Sequence, residues 1–544
     1  MAQFFTMHCL YDFLLNSPVY LLFGIPFGII ITPLVSSIPY CLTNGVLFKL
    51  SAVRFFLKKI PEVHFTARKC RRIIGANCKA GRRAACCPGK KCTPMFELRN
   101  REFYRKTLVL MLPVVLQSLI TIGVNFLDNL MIGSFGETSI AAAAFSNQSY
   151  AFFQFICMGL GSGAVVMSSQ FWGRKELEPM RVTAAMALRV TGAICLLFTV
   201  MGVAFPGTVL RVFTNDAAVI ARGIPYMRLI GCTFPLSGLS STATYLMRSV
   251  GKVSIPLIGS AVAFFLNLFF NWVFIFGKLG APRLELVGAA VGTVIARTFE
   301  FVFVFGYFVC KEHKFGFRLR HFLLSGGSLR RQYVKYSVPV LFSDTLLGLS
   351  LSLVSVIYGH ISAEIAAANS ITGTLVQLTS MLNSSMSSAS AVVVGNTIGE
   401  GRIDAAKRQG NTYILISFLF GLAVMGPMIA LRGPYLSLYS VLPETGAIAR
   451  SMMLVSFCML PLQTVAFVIS KGLLRGGGDT RFLLLADSSC VWFISLPLGA
   501  LAAFVWHLSP AWIYFLLNVE FPLKGIVCFV RYCTGKWIKQ IRAS

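Results

Sequence analysis

From residue 103 onward the chain alternates long apolar runs with short polar or basic breaks. Twelve runs can be counted, at about 108–132, 138–168, 182–204, 220–247, 253–276, 286–310, 332–358, 364–398, 410–431, 446–474, 482–506 and 511–531. A helix needs roughly 20 mostly apolar residues to cross the core of a bilayer, and each run supplies about that. Helix-start and turn signals fall between them, such as GETS at 136–139, TND at 214–216 and PETG at 443–446. The pattern predicts an all-α polytopic membrane protein with twelve transmembrane helices and the lipid bilayer as its solvent.

A repeat runs through this pattern. Pro113, Gly133, Gly173 and Pro235 recur at one constant offset as Pro339, Gly359, Gly399 and Pro461. Arg248 and Gly251 recur as Arg475 and Gly478, both displaced one position further, which implies a single-residue slip. Each half holds an even number of spans, so both halves insert in the same orientation. Parallel repeats are related by an axis along the membrane normal, and substrate paths in such transporters lie between the halves. The prediction is therefore two six-helix lobes related by pseudo-two-fold symmetry, an N-lobe at 95–316 and a C-lobe at 317–544.

Composition agrees with a membrane chain: of 544 residues, 56% are hydrophobic and only 13% charged, with mean hydropathy +0.73. The formal charge of +29 raises nucleic acid as a partner, but its distribution argues against that. Many of the cations lie in alternate connections, among them Arg174, Lys175 and Arg181, Arg248 and Lys252, Arg402, Lys407 and Arg408, and Arg475 and Arg481. Such asymmetry sets topology by the positive-inside rule. It predicts a multi-pass protein of the cell membrane with both ends of the twelve-span unit in the cytoplasm.

Residues 1–94 differ from the rest. They carry 13 Lys/Arg, 2 Asp/Glu and seven of the 15 cysteines. The apolar stretch 13–42 is broken by Pro18, Pro26, Pro33 and Pro39, poor helix material. Cys70, Cys78, Cys86, Cys87 and Cys92 stand in a basic tract without paired C-x2-C spacing, so no metal site is read there. The segment reads as a basic extension, or as a start placed too far upstream of Met95.

No P-loop, HExxH or G-x-S-x-G is present, so the chain reads as no enzyme and as no self-contained ATP-driven pump. GLGSG at 159–163 sits inside a span, where small residues let helices approach. The informative groups are the carboxylates inside spans: Asp128, Glu300, Asp344, Asp487 and Glu520. An ionisable side chain there costs about 3 kcal/mol or more unless it faces protein or water. Counting 1.5 Å per residue puts Asp128 roughly 8 Å below the outer end of span 1. The same count places Asn267, Asn271 and Thr293 at a similar depth, with the two asparagines on one helical face. Oxygen ligands around one carboxylate suit Na⁺ or a proton-linked network, the alternative being plain interhelical hydrogen bonding.

Asp344, five residues after Pro339, is read as a gate or a cation-substrate contact, or else as a structural bond to span 8 or 10. Glu300 follows Arg297 by three residues, which predicts an internal pair beside a substrate or gating role. Asp487 reads as interfacial and Glu520 has no evident partner. Phe152, Phe153, Phe155 and Met158 either line a cavity for aromatic cations or pack.

FLDNLMIG at 126–133, SQFWGR at 169–174, LMRSVGK at 246–252 and LLRGGGDTR at 473–481 resemble the prokaryotic type of the multidrug and toxic compound extrusion (MATE) family, over roughly residues 98–542. The resemblance implies a twelve-helix, two-lobe antiporter exporting small organic cations, drugs or toxins against Na⁺ or H⁺. It is expected to act as a monomer, with no cofactor beyond the coupling ion. It also implies that Asp128, Asn267, Asn271 and Thr293 form a cation-coupling group, although Asn271 stands where one branch of the family has a second aspartate. Asp344 is similar to the acid of another branch, and Gln463 with Thr464 offers helix 10 no acid. The rival readings are a lipid-linked oligosaccharide flippase, which needs a basic central cleft, and a membrane sensor with a metal-binding N-terminal tract.

Overall fold

The protein is described by a computed structural model covering residues 96–97, 100–132, 135, 137–439 and 442–542. The readings of residues 1–94, and Gly133 of the repeat, lie outside the described residues.

Each apolar run falls on one long helix. The first six are α1 (Arg101–Ile132), α2 (Glu137–Arg174), α3 (Leu177–Ala204), α4 (Ala217–Ser249), α5 (Ser254–Phe276) and α6 (Glu285–Cys310). After a 3₁₀ turn at Leu319–Leu323 come α7 (Leu329–Ile361), α8 (Ala363–Gly399) and α9 (Ile403–Leu436). The last three are α10 (Pro443–Leu474), α11 (Thr480–Phe504) and α12 (Pro510–Cys533). Ten of the twelve are long and apolar enough by themselves to cross a membrane. The two others, α4 and α8, are the more polar: α4 carries three arginines, and α8 is rich in Ser, Thr and Asn. One of the turn signals acts as a cap. Asp216 of TND accepts from the Ala218 and Val219 amides at 2.8 and 3.4 Å and opens α4.

The repeat is visible in the backbone. α4 ends with Gly251 at φ +79°, Lys252 N donating to Met247 O at 2.9 Å and Gly251 N to Arg248 O at 3.0 Å. α10 ends with Gly478 at φ +85°, Asp479 N donating to Leu474 O and Gly478 N to Arg475 O, both at 3.0 Å. These are the same paired 6→1 and 5→2 bonds around a left-handed residue. The recurring prolines lie within α1, α7, α4 and α10.

The lobes meet at the end of the bundle that carries both termini of the twelve-helix unit. There α2 packs against α7 and α8, and α1 against α8. A Cβ on Gly173 would stand 2.1 Å from the Asn396 carbonyl oxygen, and one on Gly399 2.1 Å from that of Gln170. Asn396 and Gly399 are the repeat counterparts of Gln170 and Gly173, at the same offset that relates the prolines. One helix end thus crosses its own repeat at a distance only glycine permits. GLGSG packs the same way: Cβ atoms on Gly159 and Gly163 would meet the Leu341 and Ser337 Cα atoms of α7 at 2.8 and 2.9 Å. Thr107 and Tyr413 share a 2.6 Å hydrogen bond at this end, and Gln170 Nε2 donates to Gly476 O at 3.2 Å.

Gly173→Ala and Gly399→Ala should each destabilise the protein by about 1–3 kcal/mol through overpacking. A lowered apparent Tm of the purified protein is the expected reading; two unchanged melts would refute the contact.

Candidate functional site

A cavity of about 60 Å³ opens inside the N-lobe, towards the end of α1 remote from the termini. α1 lends it Thr121, Asn125 and Asp128; α2 lends Asn147 and Tyr150; α4 lends Tyr226 and Thr233. Ser260 and Asn267 of α5, and Thr293, Arg297 and Glu300 of α6, close the remaining sides.

The four residues grouped by depth are joined here by hydrogen bonds. Asn271 Nδ2 donates to Asp128 Oδ1 at 2.5 Å and to Asn267 Oδ1 at 3.3 Å, and Asn267 Nδ2 donates to Thr293 Oγ1 at 3.3 Å. The i, i+4 spacing on α5 stacks the two amides on one face. Gly292 of α6 makes room for them, since a Cβ there would stand 2.2 Å from Asn271 Oδ1. That oxygen is buried without a hydrogen-bond donor. A buried acceptor left bare costs about 1–3 kcal/mol, and a hard cation or a protonated carboxylic acid satisfies it. Among the described residues Asp128 has this neutral amide partner and no ion-pair partner. The donor set is all oxygen, the set that suits hard cations.

Glu300 pairs with Arg297 at 2.7 Å, as their spacing predicts, and both line the same cavity as Asp128.

The C-lobe carboxylates are held differently. Asp344 is fully buried and takes a two-pronged bond from Arg475, Nη2 to Oδ1 at 2.8 Å and Nη1 to Oδ2 at 3.1 Å. Lys471 Nζ adds a third contact at 3.0 Å, and Ser162 of α2 reaches Asp344 Oδ2 at 3.3 Å and accepts from Arg475 at 3.0 Å. Asp344 thus ties α7 to α10 within its lobe and to α2 across the lobe interface. Two expectations fail in this lobe. Arg475, counted among the loop cations, is buried on α10 with its guanidinium turned inward. Asp487, read as interfacial, is buried on α11, accepting from Ser343 at 2.7 Å and pairing with Lys524 at 3.3 Å. Glu520 lies buried one turn before Lys524 on α12. The interiors are therefore not short of basic residues, but Lys471, Arg475 and Lys524 are each bound to a carboxylate and offer no free cationic surface. Lys471 and Arg475 carried a signal that went unused, an i, i+4 pair of cations on one face of an apolar run.

Gln463 is buried on α10 beside Thr464, which donates to Asn383 of α8 at 2.9 Å. Phe153 is fully buried and packs on Phe198 and Phe234 with ring centroids 5.4 and 4.7 Å apart, so it is core. Among the described residues no group of three or more His, Cys, Asp or Glu is placed to hold a metal.

The family model described as MatE matches the chain twice, over residues 113–273 and 339–516, so the two matches start on Pro113 and on its repeat counterpart Pro339. The chain belongs to the MatE family of transporters. Such proteins are membrane transporters and not enzymes. Among its curated relatives is a probable multidrug resistance protein NorM of Neisseria meningitidis serogroup B, 20% identical over 80% of this chain and 95% of that protein. The multidrug resistance protein NorM of Vibrio vulnificus is 24% identical over 75% of this chain and 91% of the relative. Among solved structures, a MATE in complex with MaL6 superposes with TM-score 0.72 at 15% identity, covering 80% of this chain and 97% of the other. A MOP superfamily transporter from Pyrococcus furiosus gives 0.71, also at 15% identity, with the same 80% and 97% covered. The twelve-helix, two-lobe fold is common to them.

Asp344→Asn should lower stability by about 3–5 kcal/mol, because it leaves buried Arg475 and Lys471 without their counter-ion. Replacing Asp344, Lys471 and Arg475 together by Leu, Met and Met should recover most of the loss. A single variant that melts like the wild type would show that the triad is not a buried ionic lock.

Proposed function

We propose that this MatE-family protein is a cation-coupled antiporter of the cell (plasma) membrane, exporting organic cations, drugs or toxic compounds by alternating access, with Na⁺ or H⁺ exchanged at Asp128. The observation that carries the reading is a carboxylate, inside a membrane-length helix, that faces a polar cavity and is held by a neutral amide. An intramembrane acid whose charge is not cancelled by a fixed partner marks an ion or proton pathway. The relatives' names, multidrug resistance proteins, support the class of cargo.

In this reading both termini are cytoplasmic and the lobes are drawn together on the cytoplasmic side, around the Gly173–Asn396 and Gly399–Gln170 crossings. The transported compound enters the cleft between the lobes. Cation and cargo favour opposite-facing states, and each shifts the balance only by its differential affinity for the two. Asn267, Asn271 and Thr293 hold the cation's oxygen shell with Asp128. Asp344 serves as a gate: Arg475 and Lys471 leave it no free charge for a cationic substrate, while its bond to Ser162 must break when the lobes part. In this reading the protein works as a monomer.

Asp128→Asn should abolish gradient-driven efflux of a dye cation from proteoliposomes while membrane insertion and melting behaviour stay intact, with Na⁺ and pH gradients imposed separately to identify the ion. Wild-type efflux by that variant would overturn the assignment.

A further inference from the structure

The wall of the N-lobe cavity continues into a line of hydrogen bonds. Arg297 Nη1 donates to Glu300 Oε2 at 2.7 Å, and Ser260 Oγ donates to Glu300 Oε1 at 2.8 Å. Gln117 Nε2 donates to Ser260 Oγ at 3.0 Å, and Arg248 Nη2 donates to Gln117 Oε1 at 2.6 Å. Five residues of four helices, α6, α5, α1 and α4, are thereby joined. The line begins at the cavity that holds Asp128 and ends one residue before the close of α4. On α1 alone it reaches Gln117, eleven residues from Asp128, about 16 Å along the axis.

Its polarity is fixed by chemistry. A guanidinium can only donate, so Gln117 must turn its carbonyl oxygen to Arg248 and its NH₂ to Ser260. Ser260 then has its single proton left for Glu300, and an ionised Glu300 accepts from both sides. Of the two carboxylates on this cavity, Glu300 is therefore the one with both oxygens engaged by fixed donors, and Asp128 the one met by a single neutral amide.

We propose that Arg297 and Glu300 are positioning residues that carry the state of the Asp128 site to the far end of the N-lobe. The proposal rests on the reading of Asp128 as the coupling site and assigns the step after binding. Arg297 lines the cavity with Asp128, so it acts as a resident cation there: it competes with an incoming Na⁺ or proton and helps expel it. When a cation neutralises Asp128, the pull of that carboxylate on Arg297 falls and the guanidinium's existing bond to Glu300 tightens. The change in Glu300 is felt by Ser260, then Gln117, then Arg248. Those last two sit on α1 and on the Schellman-type end of α4, where opening of the terminus-bearing face has to begin.

The test uses the full-length protein in detergent and needs no knowledge of the cargo. Binding is read as the shift of Tm with NaCl against choline chloride, and with pH, since a ligand of the native state raises Tm by mass action. Transmission is read as the ion-dependent change in amide hydrogen exchange over the inner half of α1 and the α4–α5 turn. Arg297→Met should tighten the apparent affinity for the effective ion roughly tenfold, because a neighbouring positive charge is gone, and Arg297→Lys should restore it. Gln117→Leu, which cuts the line outside the cavity, should bind the ion within about threefold of wild type yet lose the exchange response at α4. A merely structural pair would weaken binding when cut, so an unchanged or weaker affinity in Arg297→Met overturns the proposal. A full exchange response in Gln117→Leu overturns it too. Should the wild type and Asp128→Asn respond alike to both ions, the coupling reading itself fails, a result distinct from either of these.

Discussion

A carboxylate inside a lipid-embedded helix bundle has to be answered by something, because its charge cannot be left to hydrocarbon. The two lobes of this chain answer it in opposite ways. In the C-lobe Asp344 is met by a two-pronged arginine and a lysine, and Asp487 by Lys524. Buried pairs of this kind are costly to assemble and costlier to break, so they fix geometry. In the N-lobe Asp128 is met by an amide that neutralises nothing. The cation on the same cavity, Arg297, is bound to Glu300, and under the proposed coupling that difference decides which lobe senses an ion.

The contrast is sharper for being built on a repeat. Ser343 is the repeat counterpart of Gln117, in register with the prolines, and Asp487 is that of Ser260, in register with the slipped arginines. Both pairs are hydrogen-bonded, Ser343 to Asp487 at 2.7 Å and Gln117 to Ser260 at 3.0 Å. Arg475 likewise takes the place of Arg248. In one lobe Arg248 finds a neutral Gln117; in the other Arg475 finds the acid next to Ser343. Glu300 reaches Ser260 from the sixth helix, whereas a cation, Lys524, reaches Asp487 from the twelfth. The same scaffold has been filled with inverted charge.

Much of this was legible from the residues. Apolar runs of spanning length fix the helices, since nothing else satisfies the backbone in lipid. The repeat is legible because prolines and glycines mark backbone geometry, which the two lobes share. The Asp128 group is legible because depth follows from rise per residue and facing from i, i+4 spacing. The C-lobe lock is legible in part, since a structural bond from Asp344 to span 10 is one of the readings its sequence offers. Lys471 belongs to the π-helical stretch Val468–Leu474, and Asp487 lies at the edge of a second one, Ser489–Ser495. Each π turn advances the side chains by an amount that ideal helix counting does not contain, so the i, i+4 spacing of Lys471 and Arg475 marks them as a pair without fixing which acid they face. The loop tally erred at Arg475 for a related reason: a long side chain on the last turn can point back into the bundle.

The asymmetry also bears on how binding becomes motion. Two lobes locked by fixed ion pairs would be rigid bodies with no ligand-dependent term, and two lobes with open carboxylates would each need a cation to be stable. One of each gives a rigid partner and a responsive one. The rigid lobe holds the interface through Asp344 and Ser162, and the responsive lobe shares that interface through α2, the helix that bears Ser162 and also lines the Asp128 cavity with Asn147 and Tyr150. α2 is thus in contact with both answers to the same electrostatic problem. Under the proposed coupling a change of charge at Asp128 acts on its N-terminal half, while Asp344 grips its middle and Gly173 pins its end against Asn396. Such a helix cannot yield at one point without loading the others, which is what a two-state element requires.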